Sequence, residues 1–125
     1  MQVELVSPER IIYSGEATQV IARSMDGEIA FLAGHAPFIG ALDIGRVKIT
    51  TVDGDEITAA VHGGFVEVSH DKVTVLSDVA ELSNEIDVER ARRAESAAEE
   101  RLRTEQDVEV ESALRRAQVR IDLAS

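Results

Sequence analysis

The side chains with the widest chemical repertoire in this sequence are three histidines, His35, His62 and His70. An imidazole serves as general base or metal ligand near neutral pH. Their spacing matches no metal-binding pattern, two of them stand beside turn residues, and no Asp-x-His cluster accompanies them. The absence of cysteine removes the thiolate as nucleophile, metal ligand or disulfide partner, and it fits a reducing compartment. Gly63–Gly64 has the composition of a phosphate cradle, but no helix start follows it. We therefore read a strand bulge or a close backbone approach there. Arg116 and Arg120 stand one helical turn apart, and guanidinium forks suit anionic oxygens. The simpler alternative pairs such arginines with acids of their own helix, as in Glu111–Arg115.

These residues favour binding over catalysis. The run "IAFLAGHAPFIGAL", Ile29 to Leu42, passes fourteen residues without one Asp, Glu, Lys or Arg in a chain that is 30% charged. Ile29, Phe31, Phe38, Ile39 and Leu42 are expected in the core. Leu32, Ala33, His35, Ala36 and Pro37 fall where a loop belongs, and loops are ordinarily polar and solvated. An apolar loop on an acidic protein marks an interface.

These residues need a scaffold, and the first two thirds of the chain has the grammar of strands. "RVKITTV" alternates Val47, Ile49 and Thr51 against Lys48, Thr50 and Val52; "EITAAVH" sets Ile57, Ala59 and Val61 on one face; "KVTVLSD" sets Val73 with Val75. Turn signals stand at Ser14–Gly15, Asp26–Gly27, Asp53–Gly54 and His70–Asp71. Short strands so punctuated predict an antiparallel β-sandwich or flattened barrel over residues 1–84. With three Phe, one Tyr and no Trp, its core must be aliphatic.

From Glu85 to Ser125 there is no Gly, Pro or aromatic residue, and helix formers dominate. Val88, Ala91, Ala94, Ala98 and Leu102 form one apolar stripe; Val110, Ala113, Leu114, Ala117, Ile121 and Ala124 form another. The polar stretch Thr104–Val108 predicts the turn between them, with Asp87 and Asp107 as N-caps. Glu109 and Glu111 open the second helix while Arg115, Arg116 and Arg120 close it, complementing the helix dipole. The fold class is therefore α+β: a β domain over 1–84, then an antiparallel two-helix hairpin over 85–125, with Val79–Glu85 as the hinge.

The net charge of −11 excludes nucleic acid as a ligand and disfavours direct insertion into anionic lipid. Residues 1–84 carry 13 acids against 5 bases, and residues 85–125 carry 11 against 8. No apolar run reaches the roughly 20 residues of a spanning helix, and "MQVELVSPER" lacks the layout of a secretory signal.

At "GEIAFLAGHAPFIGALDIGRVKI" followed by "HGGFVEVSHDKVTVLSD", the sequence resembles the epsilon subunit of F-type, proton-translocating ATP synthases. The matching motifs are Gly27–Glu28, Gly34–Pro37, Leu42–Gly45, Gly63–Val68 and Val73–Asp78, with "SPER", "YSGEA" and "IDVERA" in their proper order. Ala30 and Ala33 depart from the usual Gly and Pro.

The resemblance implies a non-catalytic subunit of the rotating central stalk, set against the gamma subunit and the c-ring. Such a subunit helps couple rotation to ATP synthesis, and its helices restrain wasteful ATP hydrolysis. Glu28, Leu32, Gly34, His35, Ala36 and Pro37 are implied to face the rotor. In "IDVERA", Ile86, Asp87, Arg90 and Ala91 match a nucleotide-binding motif, completed by Arg116 and Arg120 from the second helix. Regulatory ATP is thus the one ligand to expect, and no cofactor is required; "ESAAE" stands where binding members carry a further arginine. The segment Arg115–Arg120 would meet the alpha/beta catalytic head transiently. The implied location is the cytoplasmic face of a bacterial plasma membrane. The competing readings are a free-standing sandwich module with a helical tail, and a small β-sandwich enzyme.

Overall fold

In the computed structural model, which describes residues 1–124, seven strands precede two helices. The strands are β1 (Gln2–Val6), β2 (Ile11–Ser24), β3 (Gly27–Leu32), β4 (Phe38–Thr51), β5 (Glu56–Ser69), β6 (Lys72–Leu76) and β7 (Ala80–Leu82). A 3-10 turn, Ser83–Glu85, leads to α1 (Val88–Leu102) and α2 (Val108–Ala124).

The strands pair in the order β1-β6-β5-β4-β2-β3, and β1 also pairs with β2, so the sheet closes on itself as a flattened barrel. Every pairing is antiparallel except β1–β6, which is parallel. That one parallel pairing arises because β1 and β6 are distant in sequence, and no hairpin fixes their direction. The interior is aliphatic as composition required: Val3, Leu5, Val20, Ile49, Val66 and Val75 are buried, with Phe31 the one fully buried phenyl ring among the described residues.

Turn chemistry sets the register. At Asp26–Gly27 the Ser24 hydroxyl accepts from the Asp26 N–H at 3.1 Å and donates to the Gly27 carbonyl at 2.7 Å. At the β5–β6 turn His70 and Asp71 take φ of 52° and 59°, the left-handed pair that a tight two-residue hairpin needs. Ser14–Gly15 is no turn: Gly15 lies inside β2 opposite Val3, and its neighbours continue the ladder on both sides. Gly64, at φ +119°, is where β5 crosses close to β6; a Cβ there would overlap the Leu76 carbonyl. The glycine pair is thus the close backbone approach read from sequence.

Ile39 corrects one core assignment. Strand alternation turns Phe38 toward the core, leaving Ile39 outside at 71% exposure. Ile29 and Phe38 are partly buried against the core, and Phe31 and Leu42 are inside it. Five apolar residues in an uncharged run cannot all face inward when period two divides them.

The helices pair along a seam whose buried members are Ala91, Ala98, Val110 and Ala117. Asp87 caps α1 by accepting from the Arg90 N–H at 3.1 Å, and the Asp107 carboxylate accepts from the Glu109 N–H at 2.8 Å. α2 lies on β4 and β5 while α1 rests on α2. Two further expectations fail. The last turn of α2 holds Asp122 and no base, because the helix continues beyond Arg120. The segment expected as a hinge is pinned: β7 pairs with β5, and Glu85 accepts from Arg10 at 3.0 Å and from the Leu82 N–H at 3.1 Å. Arg10 and the Leu82 amide together hold the Glu85 carboxyl below its ordinary value.

Candidate functional site

Two groups of residues were singled out from sequence, and the fold places them differently. The first lies along β3. The loop after it is tied by the His35 N–H donating to the Leu32 carbonyl at 3.0 Å, and by the Gly34 N–H donating to Asp71 Oδ1 at 3.3 Å. Gly34 has φ +82°, a conformation that favours glycine. The His35 ring packs edge-on against Phe31, centroids 5.1 Å apart, and against Phe38 at 6.2 Å. It is half-buried and braces the loop, while Leu32, Ala36 and Pro37 stay exposed.

Glu28 is not part of that tip. It sits at the other end of β3, four residues or about 13 Å of extended chain from Leu32. There it pairs in register with Arg23 and lines a cleft shared with Val119, Asp122 and Leu123 of α2. The resemblance joined Glu28 to the loop; the length of β3 separates them.

The second group gathers at the base of the hairpin. Asp87, which caps α1, and Arg90 and Ala91 within it share a cavity of about 210 Å³ with Ala94, Arg120 and Glu81. Ala91 is buried in the seam and Ile86 is half-buried just before the cap. The fold therefore brings Arg90 and Arg120 together. Arg116 does not line this cavity; its charge acts on His62 instead.

Glu81 was absent from the sequence reading and is central here. Its Oε1 accepts from Arg120 Nε at 2.6 Å and lies 3.9 Å from His62 Nε2. The guanidinium thus already has a carboxylate partner inside the cavity. The His62 side chain is 2% exposed, and neither ring nitrogen has a hydrogen-bond partner among the described residues. Burial, reinforced by the charges of Arg120 and Arg116 and opposed by Glu81, pushes His62 down to about 4. It is a neutral, buried imidazole on the strand that meets α2.

A second clasp joins α2 to the barrel. Arg115 Nη2 meets Asp43 Oδ2 at 2.7 Å, and Arg23 approaches the same oxygen at 3.7 Å. Burial would raise the Asp43 carboxyl, but the Arg115 hydrogen bond, the Ile44 N–H and both cations outweigh it and hold it below its ordinary value. The expected Glu111–Arg115 pair gives way to this tertiary one. Nothing in a linear pattern could announce Asp43 or Glu81, since their partners on α2 lie 39 or more positions away.

A third feature is a strip across the outer face of the barrel. Phe65 pairs with Ala41 on β4 and with Leu76 on β6, and Ile39 lies two residues from Ala41. Ile39, Phe65 at 58% and Leu76 are all exposed.

Comparison with known proteins gives consistent matches. Residues 1–83 match the family described as ATP synthase, Delta/Epsilon chain, beta-sandwich domain. Residues 84–125 match ATP synthase, Delta/Epsilon chain, long alpha-helix domain. The ATP synthase epsilon chain of Streptomyces coelicolor is 46% identical over 125 residues, covering 100% of this chain and 95% of that one. A chain in the cryo-EM structure of Euglena gracilis mitochondrial ATP synthase (OSCP/F1/c-ring) superposes with TM-score 0.83 at 22% identity, covering 93% of this chain and 76% of that one. A chain of the Tetrahymena thermophila mitochondrial ATP synthase central stalk and c-ring gives TM-score 0.69 at 14% identity, covering 100% and 96%. At those identities the two structures speak to the fold alone.

Proposed function

The chain belongs to the ATP synthase delta/epsilon family, and on that premise we propose that it is a rotor subunit coupling c-ring rotation to ATP synthesis and restraining ATP hydrolysis through its hairpin. Its homologues are non-catalytic subunits of the complex. The exposed apolar strip Ile39–Phe65–Leu76, on a chain of net charge −11, carries the assignment of a protein partner. We assign the strip to the gamma subunit, and the tip of Leu32, Gly34, Ala36 and Pro37 to the c-ring. Glu28 then contacts the rotor at a separate point, beside the end of α2. The chain is held at the cytoplasmic face of the plasma membrane through these partners; no described helix is long and apolar enough to cross a membrane.

Restraint of hydrolysis follows from how lightly the hairpin is held. Its seam is mostly alanine, which buries little area per residue, and helices of 15 and 17 residues are marginal alone in water. Because residues 80–85 are pinned, movement would pivot at Ile86–Asp87. Once released, Arg115, Arg116 and Arg120 would be free to meet acidic surface on the alpha/beta head. Regulatory ATP would use Arg90 and Arg120, but it must first displace Glu81 from Arg120. Titration of MgATP into the full chain checks this, and absence of heat at millimolar nucleotide removes the ligand.

The rotor assignment is tested by recovering the chain from membranes. Wild type should bring gamma and the c-ring with it. The double variant Ile39→Asp, Phe65→Asp should stay folded and lose gamma. Removing residues 86–125 should keep both partners and raise hydrolysis. A wild-type chain recovered alone would favour the free-standing module, and unchanged hydrolysis after truncation would refute the restraint.

A further inference from the structure

We infer that the hairpin latches over a neutral histidine, and that proton uptake by His62 releases it, so that acid favours the open hairpin. The proposal goes beyond the rotor assignment and concerns the isolated chain alone. It starts from packing. His62 stands on β5 next to the Gly63–Gly64 approach, on the strand that meets α2, and Arg120 of that helix binds the Glu81 oxygen lying 3.9 Å from the ring. The His62 side chain is 2% exposed, and both nitrogens lack a hydrogen-bond partner among the described residues. A buried polar group without a partner is costly, and a buried cation without one costs more.

The charges around the ring explain why it cannot protonate in place. The charges of Arg116 and Arg120 act on it from α2, and Arg120 binds the same Glu81 oxygen that lies nearest the ring. Glu81 faces it from β7, but the oxygen nearest the imidazole already accepts from Arg120 at 2.6 Å. On β4, Asp43 is engaged by Arg115 and Arg23. Arg46 follows close by on β4, beyond Ile44, which pairs with His62. Asp78 lines a cavity that His62 also lines, and Glu85 of the 3-10 turn is engaged by Arg10. Asp87, the cap of α1, and Arg90 within it line the cavity that Glu81 and Arg120 share. Two cations on the element that closes the site, against one anion already in use, make an imidazolium there unwelcome.

Lifting α2 removes both arginines and readmits water, and the imidazole then returns to its ordinary value near 6.5. The docked group lies below its free value, at about 4. Its contribution to docking is therefore complete above pH ~6.5 and is lost as pH falls toward ~4. Between about pH 7.5 and about pH 5.5 the open-to-docked ratio should rise roughly tenfold. Carboxylates as a class stay ionised over that interval, so histidine is the side-chain type that titrates there.

Native-state hydrogen exchange reads this ratio even where the open form is scarce. Protection of the Ala117 and Gln118 amides, corrected for intrinsic rates, should fall about tenfold between about pH 7.5 and about pH 5.5 in wild type. In His62→Phe it should change less than twofold (about the scatter expected of unlinked sites); any response from His35 or His70 would persist in that variant. A wild-type change below about twofold, or an undiminished response in the variant, overturns the proposal. If His62→Phe does not fold, ring-proton NMR titration of wild type decides. A His62 midpoint near 4 in the docked chain upholds the latch, and one near 6.5 sinks it.

Discussion

Arg120→Gln should loosen the hairpin without disturbing the barrel. The Arg120–Glu81 contact is 2.6 Å long, and its side chains are 27% and 29% exposed, so it is neither a solvated surface pair nor a dry one. A hydrogen bond to a charged group contributes about 1.5–3 kcal/mol when well enclosed. Water at one quarter of the surface moves this toward the surface-pair range, leaving about 1–2 kcal/mol. Opening of the hairpin should then become about 5- to 30-fold more frequent. The chain has no cysteine, so a thiol introduced at Ala60 is a clean reporter. Ala60 is 0% exposed, and it lies on the side of β5 opposite the core residues Ala59 and Val61, where α2 packs. At mildly alkaline pH, with His62 neutral in both states, the labelling rate of Ala60→Cys should rise by that factor when Arg120→Gln is added. In a Glu81→Gln background the same change should add little, because the partner is already gone. A rate unmoved by Arg120→Gln, or a fivefold further rise in the Glu81→Gln background, would show that the pair does not hold the hairpin.

Two other outcomes follow from the geometry. Gly64→Ala should destabilise the barrel by about 3 kcal/mol or more, since a Cβ at φ +119° meets the Leu76 carbonyl; a urea midpoint within error of wild type refutes the close approach. Asp43 lies below its ordinary value when folded, so its contribution is full above pH ~4 and lost as pH falls further. The stability gap between wild type and Asp43→Asn should accordingly be widest near neutrality and close toward about pH 2, and a gap constant with pH would deny the Arg115 clasp its role.

Local chemistry was legible wherever one residue's neighbours decide its state. Alternation of Val and Ile announced β4, β5 and β6, because a half-buried strand needs one apolar face. Asp-Gly and His-Asp announced hairpins, because left-handed backbone there costs little in Gly, Asn and Asp or in their neighbours at a tight turn. Asp87 and Asp107 announced helix starts, because free amides need an acceptor within three residues. Ser14–Gly15 misled for the same reason that the others succeeded: turn composition permits a turn, but pairing of β1 with both halves of the bend kept the chain straight.

What the tertiary structure alone decided are the contacts between segments remote in sequence. Composition and periodicity specified a β domain and a helical pair, since propensity and burial act within a few residues. They left open that α2, rather than α1, lies on the barrel, that Arg115 finds Asp43 and Arg120 finds Glu81, and that β7 pins the presumed hinge. They also left open that His62 is buried within reach of two arginine charges. Charge pairing and desolvation depend on distance in space, and a linear pattern does not encode that distance until the chain has closed on itself.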